Sequence, residues 1–278
     1  MTSSEVPQVT DTDLGVRGGR VSGGPLEAQA AIVLERVVGC CGELVLQRRD
    51  GHYEIVANGV FLMDTRDRGS ERLHVTAAAD RMPQPGRMLI GGLGVGVSLA
   101  AALAHHGVGE VDVVEREPAV LRWNRGPLAA VNGDALSDPR VHTHEADVVQ
   151  WLAQAPTCAL DAICLDVDNG SEWLVSPGNA WLYGDEGLGT AARVLSPEGV
   201  LTIWSATLSP ALVARMKQHF MQVDVTQVPV GRGEPDVIML GRRPRKSAVR
   251  LTGQTPPVQP RASIDHGAGS QKDLTIAE

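Results

Sequence analysis

The sequence predicts an α/β protein: a mostly parallel sheet with helices on both faces, preceded by a small antiparallel β meander. Two patterns support this fold class. From Arg87 onwards, short apolar runs alternate with Ala/Leu-rich stretches and glycine turns, an alternation typical of parallel sheets built from βαβ units. Before it, between Cys41 and Asp64, three β-rich runs are separated by turns such as Asn58-Gly59, a strong signal for a two-residue hairpin.

The individual elements follow from these runs. In the meander, strands are predicted at Glu43–Gln47, Tyr53–Ala57 and Val60–Met63. In the α/β part, strands are predicted at Met88–Ile90, Val111–Val114, around Val141, and at Asp161–Leu165, Gly199–Trp204, Val223–Val228 and Asp236–Leu240. Helices are predicted at Val97–His106, from Pro118, and at Val148–Ala153, Asp185–Leu195 and Pro210–His219. Because ligands of such sheets bind at the carboxyl ends of the parallel strands, functional residues are expected there.

The same patterns divide the chain into four segments. Residues 1–29 and 242–278 are polar and rich in Ser, Thr, Gly or Pro, and we expect them to be disordered tails. Between them, residues 30–80 are expected to form the small β region and residues 81–241 the α/β domain.

Composition and charge narrow the class of partner. The 278-residue chain carries a net charge of −8, which argues against binding to a nucleic-acid backbone and suits a cationic partner. No apolar run is long enough to span a bilayer and no secretory signal is apparent, so a cytoplasmic protein without a membrane partner is expected. The four cysteines, at positions 40, 41, 158 and 164, include no CxxC pair, and no metal site is predicted.

A glycine loop joins the first predicted strand of the α/β part to its first helix, with glycines at Gly91, Gly92, Gly94 and Gly96. A P-loop is excluded because Val97 stands where the required Lys would follow the last glycine. A dinucleotide fingerprint starting at Gly92 fails because its last position is Val97. The alternating spacing is instead the one familiar from Rossmann-like, class I methyltransferase-like folds, and an ordinary strand–helix turn is the alternative.

Two acids follow the next two predicted strands. Glu115 lies about twenty residues past the loop, in the position from which a carboxylate accepts hydrogen bonds from both ribose hydroxyls. Asp147 follows the third strand, where a carboxylate can accept from the adenine amino group. Both residues have a structural alternative, because acids also stabilise helix N-termini as dipole partners or caps.

A further acidic segment, which contains Asp166 and Asp168, comes directly after the fourth predicted strand of the α/β part. Carboxylates at this edge can hold a cationic amine, and one of them can take the amine's proton as it attacks the carbon next to a sulfonium. Such a transfer depends mainly on alignment and needs no metal. A turn stabilised by Asx side chains is the alternative.

Taken together, these residues resemble the spermidine synthase (polyamine aminopropyltransferase) family over roughly residues 43–240. Its glycine-rich motif GGGDGG corresponds to Gly91–Gly96, its ribose-binding Glu to Glu115 and its adenine-contacting Asp to Asp147. Its DSSDP segment falls on Asp166–Gly170, which implies that Asp166 is the catalytic base.

The resemblance extends to residues that contact the substrate. The family's DE-x-x-Y segment falls on Ser70–His74, which implies that His74 takes the place of a substrate-lining tyrosine. Asp168, Asn169 and Tyr183 are implied as further substrate-binding residues. The family pattern also implies a homodimer.

The chain departs from the family at two charged positions. The loop aspartate that receives the amine of the aminopropyl group is Gly94 here, and the second aspartate of DSSDP, which grips the polyamine, is Asn169. Asp168 lies one residue away from that second position. Both lost charges belong to the recognition of cationic amines, whereas the nucleoside-binding residues are kept.

Three functions are compatible with this sequence. The resemblance implies a transferase of polyamine biosynthesis that moves an aminopropyl group from decarboxylated S-adenosylmethionine to a small-molecule amine, with Asp166 as general base. Gly94 favours the alternative that S-adenosylmethionine itself is the donor in a methyl transfer to a small molecule. The third is a non-catalytic nucleoside-binding protein whose acids are structural.

Overall fold

The computed structural model describes residues 30–66, 69–231 and 233–245 of the chain. The two predicted tails lie outside these ranges, apart from residues 242–245. The described residues form a four-stranded antiparallel sheet and a seven-stranded mixed sheet with helices on both faces, which confirms the predicted fold class. Within this part of the chain, no helix is both long and apolar enough to cross a lipid bilayer.

The four-stranded sheet is the predicted meander. Its strands pair in sequence order and are β1 (Ile32–Gly39), β2 (Gly42–Arg49), β3 (His52–Ala57) and β4 (Val60–Asp64). The last two turns contain Asp50-Gly51 and Asn58-Gly59, and all four of these residues have positive φ, as tight hairpin turns require. Strand β1 extends the meander beyond the three predicted strands.

The seven-stranded sheet has the order β10-β11-β9-β8-β5-β6-β7. Its strands are β5 (Gly86–Gly91), β6 (Val108–Glu115), β7 (Val141–Glu145), β8 (Leu160–Leu165), β9 (Leu195–Ser205), β10 (Phe220–Val228) and β11 (Asp236–Pro244). Strands β5 to β9 are parallel, and β10 and β11 form an antiparallel hairpin at one edge. Strand β11 continues past its predicted end at Leu240 because Arg242 pairs with both β10 and β9.

Helices cover both faces of this sheet, over two separate apolar cores. They are α1 (Gly69–Ala79), α2 (Val97–Ala104), α3 (Pro118–Arg125), α4 (Ala129–Asn132), α5 (Val148–Gln154), α6 (Asp185–Val194) and α7 (Pro210–His219), with 3₁₀ turns at Ala135–Ser137 and Pro177–Tyr183. Proline begins α3 and α7 at the position where a missing N–H costs no hydrogen bond. Helix α1, which was not predicted, packs against α2 and the large sheet.

The strand order places a switch point between β5 and β8. From β5 the chain runs outwards through β6 to β7, and it then crosses to β8 on the other side of β5. A crevice forms at such a point, at the carboxyl ends of the strands. The glycine loop follows β5 and Asp166 follows β8, and the amide of Asp166 donates to the carbonyl of Gly91 at 3.0 Å.

The meander packs over this crevice and is anchored to α3. Leu44, Leu46 and Ile55 belong to the same apolar core as β5 and β6. At the β1–β2 turn, the amide of Cys40 donates to both carboxylate oxygens of Glu117, at 2.9 and 3.1 Å. As a result of these contacts, the meander covers the crevice and forms one wall of a cleft.

Candidate active site

A cleft lies between the meander and the carboxyl edge of the large sheet. The meander supplies an apolar wall that includes Leu44, Ile55 and Leu62, and the sheet edge supplies Glu115 and Asp147. Apolar walls with a few convergent polar groups are typical of small-molecule sites. The cleft therefore brings together the residues predicted to bind a nucleoside.

The glycine loop forms the floor of this cleft. Gly92 and Gly94 line it, whereas Gly91 ends β5 and Gly96 precedes α2. Gly92 has φ of 86°, and a Cβ there would lie 2.4 Å from the backbone oxygen of Asp166. Only glycine permits this close approach, which joins the loop to the end of β8.

Two buried asparagines hold the loop from behind. Asn124 of α3 donates to the carbonyl of Gly94 at 2.8 Å, and Asn132 donates to Asn124 Oδ1 at 2.8 Å. A Cβ on Gly96 would lie 2.5 Å from Asn124 Oδ1, so this pair of asparagines requires a glycine at position 96. Sequence reasoning missed both asparagines, because neither belongs to a recognisable motif.

We expect Asn124→Ala to lower the free energy of unfolding by about 1–3 kcal/mol, because the bonds to Gly94 and Asn132 are lost in a buried place. Urea denaturation measures this change. Asn124→Asp is the matched comparison, since it keeps the shape but cannot donate to the Gly94 carbonyl. A stability equal to that of the wild type in both variants would contradict the assigned role.

Glu115 lies at the end of β6 and is buried beneath the cleft. Its Oε2 accepts from the amide of Leu93 at 2.9 Å, and its Oε1 accepts from the amide of Glu117 at 2.8 Å. Burial raises the pKa of Glu115, while these two amide bonds oppose the rise. Each oxygen keeps a second acceptor site, so the carboxylate can still receive a pair of hydroxyl groups.

Asp147 lines the cleft and also caps α5. Its Oδ1 accepts from the amide of Val149 at 2.8 Å. The structure thus contains the helix cap that was the alternative interpretation of this residue. The cap uses Oδ1 and leaves Oδ2 available to a ligand in the cleft.

Asp166 lies where the cleft meets a second cavity, and it lines both. Burial, followed by the negative charges of Asp236 and Asp168, raises the pKa of Asp166 from 3.8 to about 7. A carboxyl group with this pKa exchanges a proton readily at neutral pH, which is the property required of a general base.

The second cavity has a strongly acidic lining in the described part of the chain. The ionisable residues that line it within the described part of the chain are Asp64, Arg66, Glu71, Asp166, Asp168 and Asp236. The guanidinium of Arg66 is engaged by Asp64 and by Glu54 at 3.1 Å. Among the described lining residues the acids outnumber the bases by five to one, a composition that suits a cationic ligand.

Asp236, at the start of β11, is an acid of this cavity that was not predicted as a site residue, as are Asp64 and Glu71. It accepts a hydrogen bond from Ser70 Oγ at 2.6 Å, and Ser70 in turn accepts from Trp204 Nε1 at 3.2 Å. Asp236 comes from an antiparallel strand, far along the sequence from Asp166, so no local motif could have indicated it.

The predicted substrate residues Asp168, Asn169 and Tyr183 have different placements. Asp168 and Asn169 line the second cavity, but Asp168 already accepts from the Val175 amide at 2.5 Å, from Asn179 at 2.9 Å and from Tyr183 at 2.9 Å. Burial raises the pKa of Asp168, and these bonds oppose the rise. Tyr183 is buried behind Asp168 and lines neither cavity, so it can act only through that carboxylate.

His74 does not lie where the resemblance placed it. It is fully buried on α1, lines neither cavity, and receives no hydrogen bond from the described residues at either ring nitrogen. Burial lowers its pKa from 6.5 to about 3, so the ring is neutral at physiological pH. The expected substrate-lining position is corrected to a core position because α1 packs against the large sheet.

Comparisons with known proteins agree with this geometry. No protein-family model matches the chain. Over 165 residues, 58% of its length, the chain is 31% identical to a polyamine aminopropyltransferase of Mycobacterium tuberculosis, of which the match covers 30%. The chain thus spans less than a third of that relative.

Solved structures share the fold at low sequence identity. A spermidine synthase in complex with the transition state analogue AdoDATO has a TM-score of 0.65 and 16% identity, covering 76% of this chain and 74% of that one. A spermidine synthase of Thermotoga maritima has a TM-score of 0.64 and 17% identity, covering 76% and 73%. The chain is therefore similar in sequence to polyamine aminopropyltransferases and has the fold of spermidine synthases, as the motifs indicated.

Proposed function

We propose that the chain is a transferase of the spermidine synthase type, which moves an aminopropyl group from decarboxylated S-adenosylmethionine to a cationic amine. The observation that carries this proposal is the position of Asp166. It lies at the junction of a cleft suited to a nucleoside and a cavity suited to a cation. A group there can touch both reactants at the point of transfer.

The cleft supports an adenosyl donor. Glu115 and Asp147 both line it, and we assign the ribose hydroxyls to Glu115 and the adenine amino group to Asp147. The apolar meander wall gives the base a surface to pack on. Gly92 and Gly94 leave the loop backbone open to the ligand.

The acidic cavity supports a cationic acceptor. An aliphatic amine is protonated in water, with a pKa near that of lysine at about 10, and must lose a proton before its nitrogen can attack. Asp166 takes that proton. The freed lone pair forms a bond to the carbon next to the sulfonium, and the electron pair of the carbon–sulfur bond moves to sulfur, which releases neutral methylthioadenosine.

A product assay tests this proposal. Each donor, decarboxylated or intact S-adenosylmethionine, is supplied with putrescine and a panel of other amines. We expect methylthioadenosine to form from the decarboxylated donor. Formation of S-adenosylhomocysteine alone would favour the methyltransferase alternative, which Gly94 supports, and tight nucleoside binding without either product would favour a non-catalytic protein.

Removal of the Asp236 charge tests the acceptor side. We expect Asp236→Asn to raise the KM for the amine about tenfold, the loss of one charge-assisted interaction. Because a nearby negative charge is removed, the pKa of Asp166 falls, and the acid limb of the rate profile moves to lower pH. Steady-state kinetics over a pH series measures both effects.

Asp224→Asn is the matched control for Asp236→Asn. Asp224 lies on the adjacent strand β10, exposed and outside both cavities. We expect this control to keep the wild-type KM and pH profile. An unchanged KM and an unchanged acid limb in Asp236→Asn would remove Asp236 from the acceptor site.

A further inference from the structure

A β-bulge in the meander turns two consecutive side chains into the cleft. In the pairing of β3 with β4, Ile55 lies opposite Met63 and Val56 opposite Phe61, so Leu62 is an extra residue. Successive side chains of a regular strand point to opposite faces, yet Leu62 and Met63 both line the cleft. β-Bulges next to active sites commonly redirect a side chain in this way.

The redirected Met63 fills the space in front of the glycine loop. A Cβ placed on Gly94 would lie 2.4 Å from Met63 Sδ and 2.6 Å from its Cε. The thioether therefore occupies the volume that any side chain at position 94 would need. Met63 also lines the second cavity next to Asp166, so it lies at the point where a donor's sulfonium tail would reach the acceptor.

We infer that Met63 and Gly94 together form a neutral contact surface for the tail of the donor, and that this surface does not select a cationic tail. This inference rests on the proposed donor cleft. A carboxylate at this place would attract the lone ammonium of an aminopropyl tail more than the zwitterionic tail of S-adenosylmethionine. The thioether of Met63 carries no charge and offers each tail the same dispersion contact.

Binding constants for three nucleosides test the inference. Isothermal titration of the wild type with S-adenosylmethionine, its decarboxylated form and tail-less methylthioadenosine is expected to give Kd values for the first two within about threefold. The double variant Met63→Ala, Gly94→Asp makes room for a carboxylate at position 94. Gly94 has a positive φ of 52°, a conformation that Asp residues adopt more readily than most others. This variant is expected to favour the decarboxylated donor by about tenfold or more.

Matched variants separate charge from shape. Met63→Ala with Gly94→Asn has the same shape without the charge and is expected to keep the wild-type ratio. A second pair, Met63→Glu and Met63→Gln, compares a charged with a neutral side chain on the meander side. This pair leaves the glycine loop unaltered. Methylthioadenosine has no charged tail, so its Kd is expected to be the same in each carboxylate variant as in its amide counterpart.

Two results would overturn this inference and leave the proposed donor cleft intact. The first is a wild type that binds methylthioadenosine but prefers the decarboxylated donor tenfold or more. The second is an unchanged donor ratio in both carboxylate variants while methylthioadenosine still binds normally. A wild type that binds none of the three nucleosides would overturn the proposed donor cleft, and the inference with it.

Discussion

Asp166→Asn is expected to reduce transfer by at least about 10²-fold, the lower end of what a positioned general base contributes, while the Kd for methylthioadenosine changes by less than about twofold. The amide keeps the shape of the side chain but cannot take a proton from the amine. The nucleoside contacts come from Glu115, Asp147 and the loop, which the substitution leaves in place. Turnover at saturating substrates and a direct titration measure the two quantities separately.

The matched control for this variant is Asp161→Asn. Asp161 lies at the opposite, amino end of β8, where it accepts from the amide of Arg87 at 3.0 Å and from Ser196 Oγ at 2.8 Å. We expect its turnover to remain near that of the wild type. A large loss of nucleoside affinity with residual turnover in Asp166→Asn would contradict the role of Asp166 as base.

The raised pKa of Asp166 has two consequences that depend on pH. The wild-type rate is expected to rise with pH through about 7, because only the ionised carboxylate accepts a proton. The pKa is higher in the folded than in the unfolded chain, so the contribution of Asp166 to stability is present at low pH and is lost between about 4 and 7. The Tm of Asp166→Asn minus that of the wild type is therefore expected to be larger at pH 8 than at pH 4.

Glu115→Ala is expected to have the opposite effect, a loss of affinity larger than the loss of turnover, with the Kd for methylthioadenosine raised by at least about 10²-fold. Two charge-assisted hydrogen bonds to the ribose are removed, each worth about 1.5–3 kcal/mol. In addition, the amides of Leu93 and Glu117 lose their acceptor, which loosens the loop. Turnover at saturating donor is expected to fall much less than the affinity.

Glu110→Ala is the control for this prediction. Glu110 lies on the same strand as Glu115 but is exposed, 3.6 Å from Arg87 and outside the cleft. We expect its nucleoside affinity to match that of the wild type. Equal affinities in Glu115→Ala and Glu110→Ala would show that Glu115 has only a structural role.

The sequence predicted well those elements whose physical signal is local. The helix Pro210–His219 was predicted with its observed bounds, because Pro marks its start and Ser209 caps it. The meander turns were evident from residues that tolerate positive φ. The order of Glu115, Asp147 and Asp166 along the chain was sufficient to place them at one sheet edge, since parallel strands end together.

The missed features depend on contacts between distant segments. Helix α1 buries Ser70, His74 and small residues rather than a strong apolar stripe, so its periodicity is weak. Asp236 reaches the site from the antiparallel hairpin, and Met63 reaches it through a bulge that no single residue type announces. The positions of all three depend on contacts between segments that are far apart in the sequence.

A crystal structure with bound methylthioadenosine tests the central claim most directly. We expect the adenosine in the cleft between the meander and the glycine loop, with both ribose hydroxyls donating to Glu115 and the sulfur facing Met63 and Asp166. The adenine amino group is expected near Asp147. A nucleoside bound elsewhere, or one whose ribose does not contact Glu115, would contradict the account.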